Sequence, residues 1–231
     1  MFTYLLALVP FLLYFSDPIL QFFSPSPPQI RRLPRPQLNE DLLALESPTP
    51  NYTCPDNPYT IHVYSRAPLV IYIENFLSPS ERTHLLEISG PLYEKSTITH
   101  NGGATTSHNP ATRDSEVALV PRTDAVRCVE DRARALQGWR DDVWIERLRV
   151  QRYRAGGHYR HHFDWSSGRG GGAQEGKMGV VFKAVPGNAV YWENFMADGT
   201  GRGYEETWHA GLPVRKGVKV GLNIWSAGRI E

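Results

Sequence analysis

A chain of 231 residues, 41% of them apolar and with a formal charge of +1, has material for one sizeable core and a small attachment. The apolar content excludes wholesale disorder. The near-neutral balance excludes a dedicated nucleic-acid binder, which needs a positive surface.

In chain order, residues 1–15 carry no charged side chain, and apolar residues resume at Ile19, Leu20, Phe22 and Phe23. Residues 1–23 together are just long enough to cross a bilayer, although Asp17-Pro18 interrupts them. A cleaved signal peptide is the alternative. Neither Ser16 nor Ser24 has a small residue two positions earlier, so a retained membrane anchor is preferred. Arg31, Arg32 and Arg35 then favour a cytosolic side, whereas Asn51-Tyr52-Thr53 is an N-glycosylation acceptor on a lumenal one. Residues 24–58 contain nine prolines, whose fixed angles and missing amide donors predict an extended, semi-rigid stalk. Within it, residues 38–45 suit a helical turn or two. Cys54 and Cys128 are the only cysteines; spacing fits one disulfide or two separate buried thiols equally.

The folded domain is expected to run from residue 59 to 231. Residues 69–73 form a compact apolar strand candidate. Ser78-Pro79-Ser80-Glu81 reads as a capping box with proline at the first helical position, and Leu85, Leu86 and Ile88 supply a buried side before Gly90. Residues 100–110 read as loop. A second helix is predicted over 123–137, with Val126, Val129, Ala133 and Leu136 on one side and Gly138 at its end. Strand signals follow at 145–153, 159–165, 179–185, 189–192, 205–209 and 218–225, with a glycine-rich loop at 168–172. Two leading helices and many short strands predict a mostly β fold, with helices packed on a curled sheet or small barrel. No internal repeat is present.

The chemistry concentrates in His162-Phe163-Asp164 and the later His209. Residues two apart in a strand share a side, so His162 and Asp164 can hold one metal while Phe163 joins the core. His209 closes a two-histidine, one-carboxylate face that leaves coordination positions open. His161 competes with His162 but has the wrong strand parity. The ligand set alone also suits zinc and a hydrolase.

The neighbouring residues narrow the choice. Arg152-Tyr153, Gly156, Tyr159, His162 and Asp164 are followed by His209-Ala210-Gly211-Leu212-Pro213-Val214, Gly217 and Lys219. This pattern resembles the prolyl 4-hydroxylase-like branch of iron(II)/2-oxoglutarate dioxygenases, over residues 69–225 and most strongly over 144–165 and 187–225. The resemblance implies a double-stranded β-helix (jelly roll). It assigns His162, Asp164 and His209 to Fe(2+), Lys219 to the remote carboxylate of 2-oxoglutarate, and Tyr153 and Tyr159 to the cosubstrate pocket. Trp225 matches an aromatic residue beyond the lysine. Lys216 misses the family spacing and is read as solvent-facing, and Asn188, Trp192 and Glu193 as turn and core residues.

The implied activity is procollagen-proline 4-dioxygenase-like: hydroxylation of peptidyl proline, with succinate and carbon dioxide as coproducts and L-ascorbate keeping iron reduced. The implied location is the endoplasmic reticulum membrane, single-pass, with a lumenal domain. The alternatives are the same chemistry on another side chain or small molecule, and an inactive membrane-attached binding protein. Oligomeric state is not readable from these residues.

The chain departs from the family in one respect. In the double-stranded β-helix the first ligand pair lies on the second core strand and the distal histidine on the seventh. Four intervening strands need at least ~20 residues before turns are added. Only about two convincing strand candidates lie between Asp164 and His209. The family's Gly-Gly-x-Thr-x-Phe phrase, due between Gly172 and Gly179, is absent. The expectation is a jelly roll truncated between its middle strands, with unpaired edges and a weakened core.

Overall fold

A computed structural model describes residues 40–46, 51–100, 105–165 and 179–228. The apolar segment 1–23, most of the proline-rich stretch and the join at 166–178 lie outside the described residues. Among the described residues, no helix is long and apolar enough to cross a membrane.

The first described residues pack onto the domain. Glu40–Leu42 form a 3-10 turn, and Leu43 and Ala44 are buried. The Ala44 amide donates to the Ile145 carbonyl at 2.8 Å, and the Arg147 amide donates to Leu42 at 2.7 Å. Further on, Cys54 and Cys128 form a disulfide with a Cα–Cα distance of 5.3 Å.

Strands β1 (Thr60–Arg66) and β2 (Leu69–Glu74) form an antiparallel pair that leads into helix α1 (Pro79–Ser89). The predicted capping box is formed. The Glu81 amide donates to Ser78 Oγ at 3.2 Å, and the Ser78 amide donates to Glu81 Oε2 at 2.8 Å. Leu85 is buried and Ile88 packs against the core, but Leu86 is 50% exposed, contrary to expectation. At ~100° per residue, 85 and 88 share a stripe that 86 misses. Short strands follow: β3 (Glu94–Lys95), β4 (Ile98–His100), β5 (Thr105–Ser107), β6 (Arg113–Asp114) and β7 (Glu116–Leu119). The predicted loop at 100–110 thus contains half of a β4–β5 hairpin. Helix α2 (Asp124–Leu136) is capped by Thr123, with Val126, Val129 and Ala133 buried as expected.

The remaining strands are β8 (Val143–Ile145), β9 (Arg149–Tyr153), β10 (His158–His162), β11 (Ala189–Trp192), β12 (His209–Gly211), β13 (Lys219–Asn223) and β14 (Ser226–Gly228). The sheets run β13-β9-β7-β3, β12-β10-β6 and β1-β2-β11, with two-stranded pairs β14-β8 and β4-β5. All pairings among them are antiparallel. The core joins α1 and α2 to these strands through Ile73, Phe76, Leu85, Val129, Leu148 and Val150. On β9, Val150 faces this core, so alternation turns Gln151 and Tyr153 to the opposite side.

Three strand expectations are corrected. Residues 179–185 form no strand; Val180 and Val181 are exposed and have no ladder partner among the described residues. Residues 205–207 are a 3-10 turn closed by Thr207 Oγ1 on the Tyr204 carbonyl at 2.7 Å, so the strand begins only at His209. Strand β10 ends at His162, two residues before Asp164. Between Asp164 and His209, β11 is the only strand among the described residues. There, β11, β12 and β13 each lie at the end of their sheet with one edge unpaired.

Candidate metal centre

His162 and His209 face each other directly across the β10–β12 pair, which brings their ring centroids to 4.3 Å. Asp164 reaches them from a bend beyond the strand end. Its Oδ1 lies 3.4 Å from His162 Nε2 and its Oδ2 3.6 Å from His209 Nε2. One donor atom from each residue lies within 4.8 Å of the other two. The strand parity invoked from the sequence is therefore replaced by a bend, yet the same three residues meet.

The backbone fixes both rings. His162 Nδ1 donates to the Arg160 carbonyl at 2.7 Å, and His209 Nδ1 donates to the Thr207 carbonyl at 2.8 Å. A carbonyl only accepts, so each Nδ1 carries the proton and each Nε2 turns its lone pair toward Asp164. Burial pushes the His209 pKa below the ordinary histidine value, against the opposing pull of Asp164. Neutral imidazoles and a carboxylate converging on one point are the donor set a divalent iron or zinc ion requires. The residues fit the metal.

Aromatic groups enclose the cluster. Phe163 is buried as expected, with its ring 4.7 Å from Trp165 and 4.7 Å from Trp208, although it lies beyond the end of β10. His161 is exposed and stays outside the cluster. Trp192, read from the sequence as a core residue, sets its ring edge-on to His209 at 5.0 Å. Asn188 fills a turn role, accepting from the Asn75 amide and donating to Tyr72 Oη. Lys216 is exposed, as expected.

Of the three predicted pocket residues, Tyr159 touches this cluster. A register shift between Tyr159 and His162 brings them to one side, where the rings stack at 3.6 Å and 20°. Gly157 makes the entry to β10 possible, because a Cβ there would press on the Arg154 and Asp114 carbonyls. Tyr153 is buried and donates its hydroxyl to Gln151 Oε1 at 2.8 Å. Lys219 sits directly opposite it on β13, with Nζ 5.1 Å from the ring centroid. Burial raises both tyrosine pKa values, so both hydroxyls stay protonated, and the Asp164 charge adds to the rise. Burial lowers that of Lys219, which has no carboxylate partner among the described residues.

Arg113 is a residue that sequence reasoning missed. It lies opposite Tyr159 on β6, with its guanidinium carbon 4.6 Å from the ring centroid. It opposes the pKa rise at both tyrosines. A two-residue strand has no periodicity to advertise such a side chain.

No family model matches the chain. Over 200 residues it is 26% identical to prolyl 4-hydroxylase subunit alpha-2 of Caenorhabditis elegans. That alignment takes in 73% of this chain and 36% of the relative, so the chain spans about a third of the relative's length. Among solved structures, a viral collagen prolyl hydroxylase from Paramecium Bursaria Chlorella virus-1, in a 2OG complex, matches with a TM-score of 0.50. The match covers 68% of this chain and 94% of that one at 24% identity. The structural likeness establishes the jelly-roll fold expected from the sequence. The chain thus shares that fold and is similar in sequence, across most of its length, to a prolyl 4-hydroxylase subunit.

Proposed function

We propose that this chain is an iron(II)- and 2-oxoglutarate-dependent dioxygenase that hydroxylates peptidyl proline, releasing succinate and carbon dioxide. The observation that carries the reading is the convergence of His162, Asp164 and His209, with both Nε2 atoms turned to one carboxylate. Bound iron would supply oxygen activation coupled to decarboxylation of 2-oxoglutarate. His162, Asp164 and His209 hold the metal, while the Arg160 and Thr207 carbonyls keep the rings in the ligating tautomer. Lys219, half-buried and without a carboxylate partner among the described residues, takes the remote carboxylate of the cosubstrate. Tyr159 offers a hydroxyl donor in the same pocket, and Tyr153, whose hydroxyl is committed to Gln151, lines it with its ring. The Tyr159 and Trp192 rings, against His162 and His209, shield the ligands from water. L-Ascorbate serves as the external reductant, and residues 1–23 attach the domain to the endoplasmic reticulum membrane.

A second reading has one observation in its favour. Among the described residues, β11, β12 and β13 each have one edge without a partner, which gives the ligand-bearing strands less support than a complete jelly roll provides. It makes the chain a binding protein that holds metal without turnover.

The substrate assignment is tested by incubating the full chain with iron, 2-oxoglutarate, ascorbate and a proline-rich peptide. Succinate should form in step with hydroxylation, and the pre-hydroxylated peptide should give only the uncoupled background. Equal succinate from both peptides would move the chemistry to another side chain or a small molecule. No succinate from either, with iron bound, would favour the second reading.

A further inference from the structure

We infer that Asn51 is an N-glycosylation site and that the folded domain therefore faces an oxidising, lumenal or extracellular space. Asn51-Tyr52-Thr53 has the acceptor pattern, and its side chains are sorted as an acceptor needs. Asn51 and Thr53 are exposed. Tyr52 between them is half-buried, donating its hydroxyl to Asp131 Oδ2 on α2 at 2.7 Å. Anchoring the middle residue presents the two outer ones to solvent, so a glycan on Asn51 displaces no packed group.

The Cys54–Cys128 disulfide is a second and independent observation. It follows the acceptor by one residue, and no cysteine of the chain is left free. Disulfides persist in oxidising compartments and are rare in the cytosol. N-linked glycan transfer belongs to the same secretory route. Two unrelated chemistries in residues 51–54 thus require one compartment. They outweigh Arg31, Arg32 and Arg35, because the positive-inside tendency is a statistical bias, whereas a cytosolic domain would reduce the cystine. Tyr52 and Cys54 hold this segment against α2. The inference does not rest on the proposed dioxygenase activity.

The test is expression of the full chain in eukaryotic cells, followed by peptide N-glycosidase digestion and gel mobility. Wild type should shift by one glycan on digestion, Asn51→Gln and Thr53→Ala should not, and Thr53→Ser should retain the shift. A variant with a second acceptor appended after Glu231 is run in parallel. If the appended acceptor is used and Asn51 is not, the site assignment is wrong. If neither is used, both the site and the lumenal placement are wrong.

Discussion

His162 and His209 owe their ligating posture to two main-chain carbonyls, and Lys219 owes its readiness for an anion to partial burial with no carboxylate partner among the described residues. These are separable claims. A charge-assisted hydrogen bond contributes about 1.5–3 kcal/mol, so Lys219→Ala should weaken 2-oxoglutarate binding about 10- to 100-fold. Iron stoichiometry should be unchanged, since the lysine is not one of the three ligands. Calorimetric titration of the iron-loaded chain checks both, and an unchanged affinity would remove Lys219 from the cosubstrate pocket. At this scale the local pattern named three residues that converge, His162, Asp164 and His209, with Tyr159 stacked on His162 and Lys219 opposite Tyr153. Arg113 was illegible because its place depends on β6 pairing with β10, a long-range contact that no local pattern encodes.

The two helices are held together by charge as well as by their apolar faces. Arg132 on α2 donates to both Glu81 carboxylate oxygens, at 3.0 and 2.8 Å, and Glu81 also closes the α1 capping box. Burial alone pushes the Glu81 pKa up, but the Arg132 and Ser78 hydrogen bonds outweigh it and hold it below the ordinary value. Its contribution to stability is therefore complete above about pH 4.5, the unfolded value, and is lost as pH falls through the lower folded value. Arg132→Ala should cost about 2 kcal/mol at neutral pH, between the values for exposed and fully buried pairs. It should also flatten the acid limb of a stability-versus-pH curve measured by urea unfolding. An unchanged acid limb would mean that other carboxylates govern it.

Elements were legible where they were long enough to show a period or carried a capping signal. The Ser78 box and the Val126-Val129-Ala133 stripe are both in place. Strand β1 was missed because almost every position along it is exposed, which erases the alternation that marks a strand. Residues 179–185 have an apolar strand composition, yet no strand pairs with them among the described residues. A strand needs a neighbour, and composition does not supply one.

For the whole molecule, the disulfide and the open sheet edges act in opposite directions. The cystine ties the segment before β1 to α2 across a sequence separation of 74 residues. Constraining so long a loop in the unfolded chain stabilises by about 2–4 kcal/mol. Cys54→Ser should lose that amount in denaturant unfolding, and reductant should lower wild type to the same level. A variant as stable as wild type would show that the Leu43 and Ala44 docking holds this region without the cystine. Among the described residues, β11, β12 and β13 each keep one edge without a partner, and one intermediate strand, β11, lies between Asp164 and His209 where the sequence offered about two.

The most direct test of the central claim is iron-dependent consumption of 2-oxoglutarate by the full chain beside His162→Ala and His209→Ala. Wild type should convert 2-oxoglutarate to succinate only with iron present. Each variant should lose more than about 100-fold, above the range for disturbing an outer-shell partner. Retained iron-dependent turnover in both variants would contradict the assignment of these histidines, and with it the metal centre.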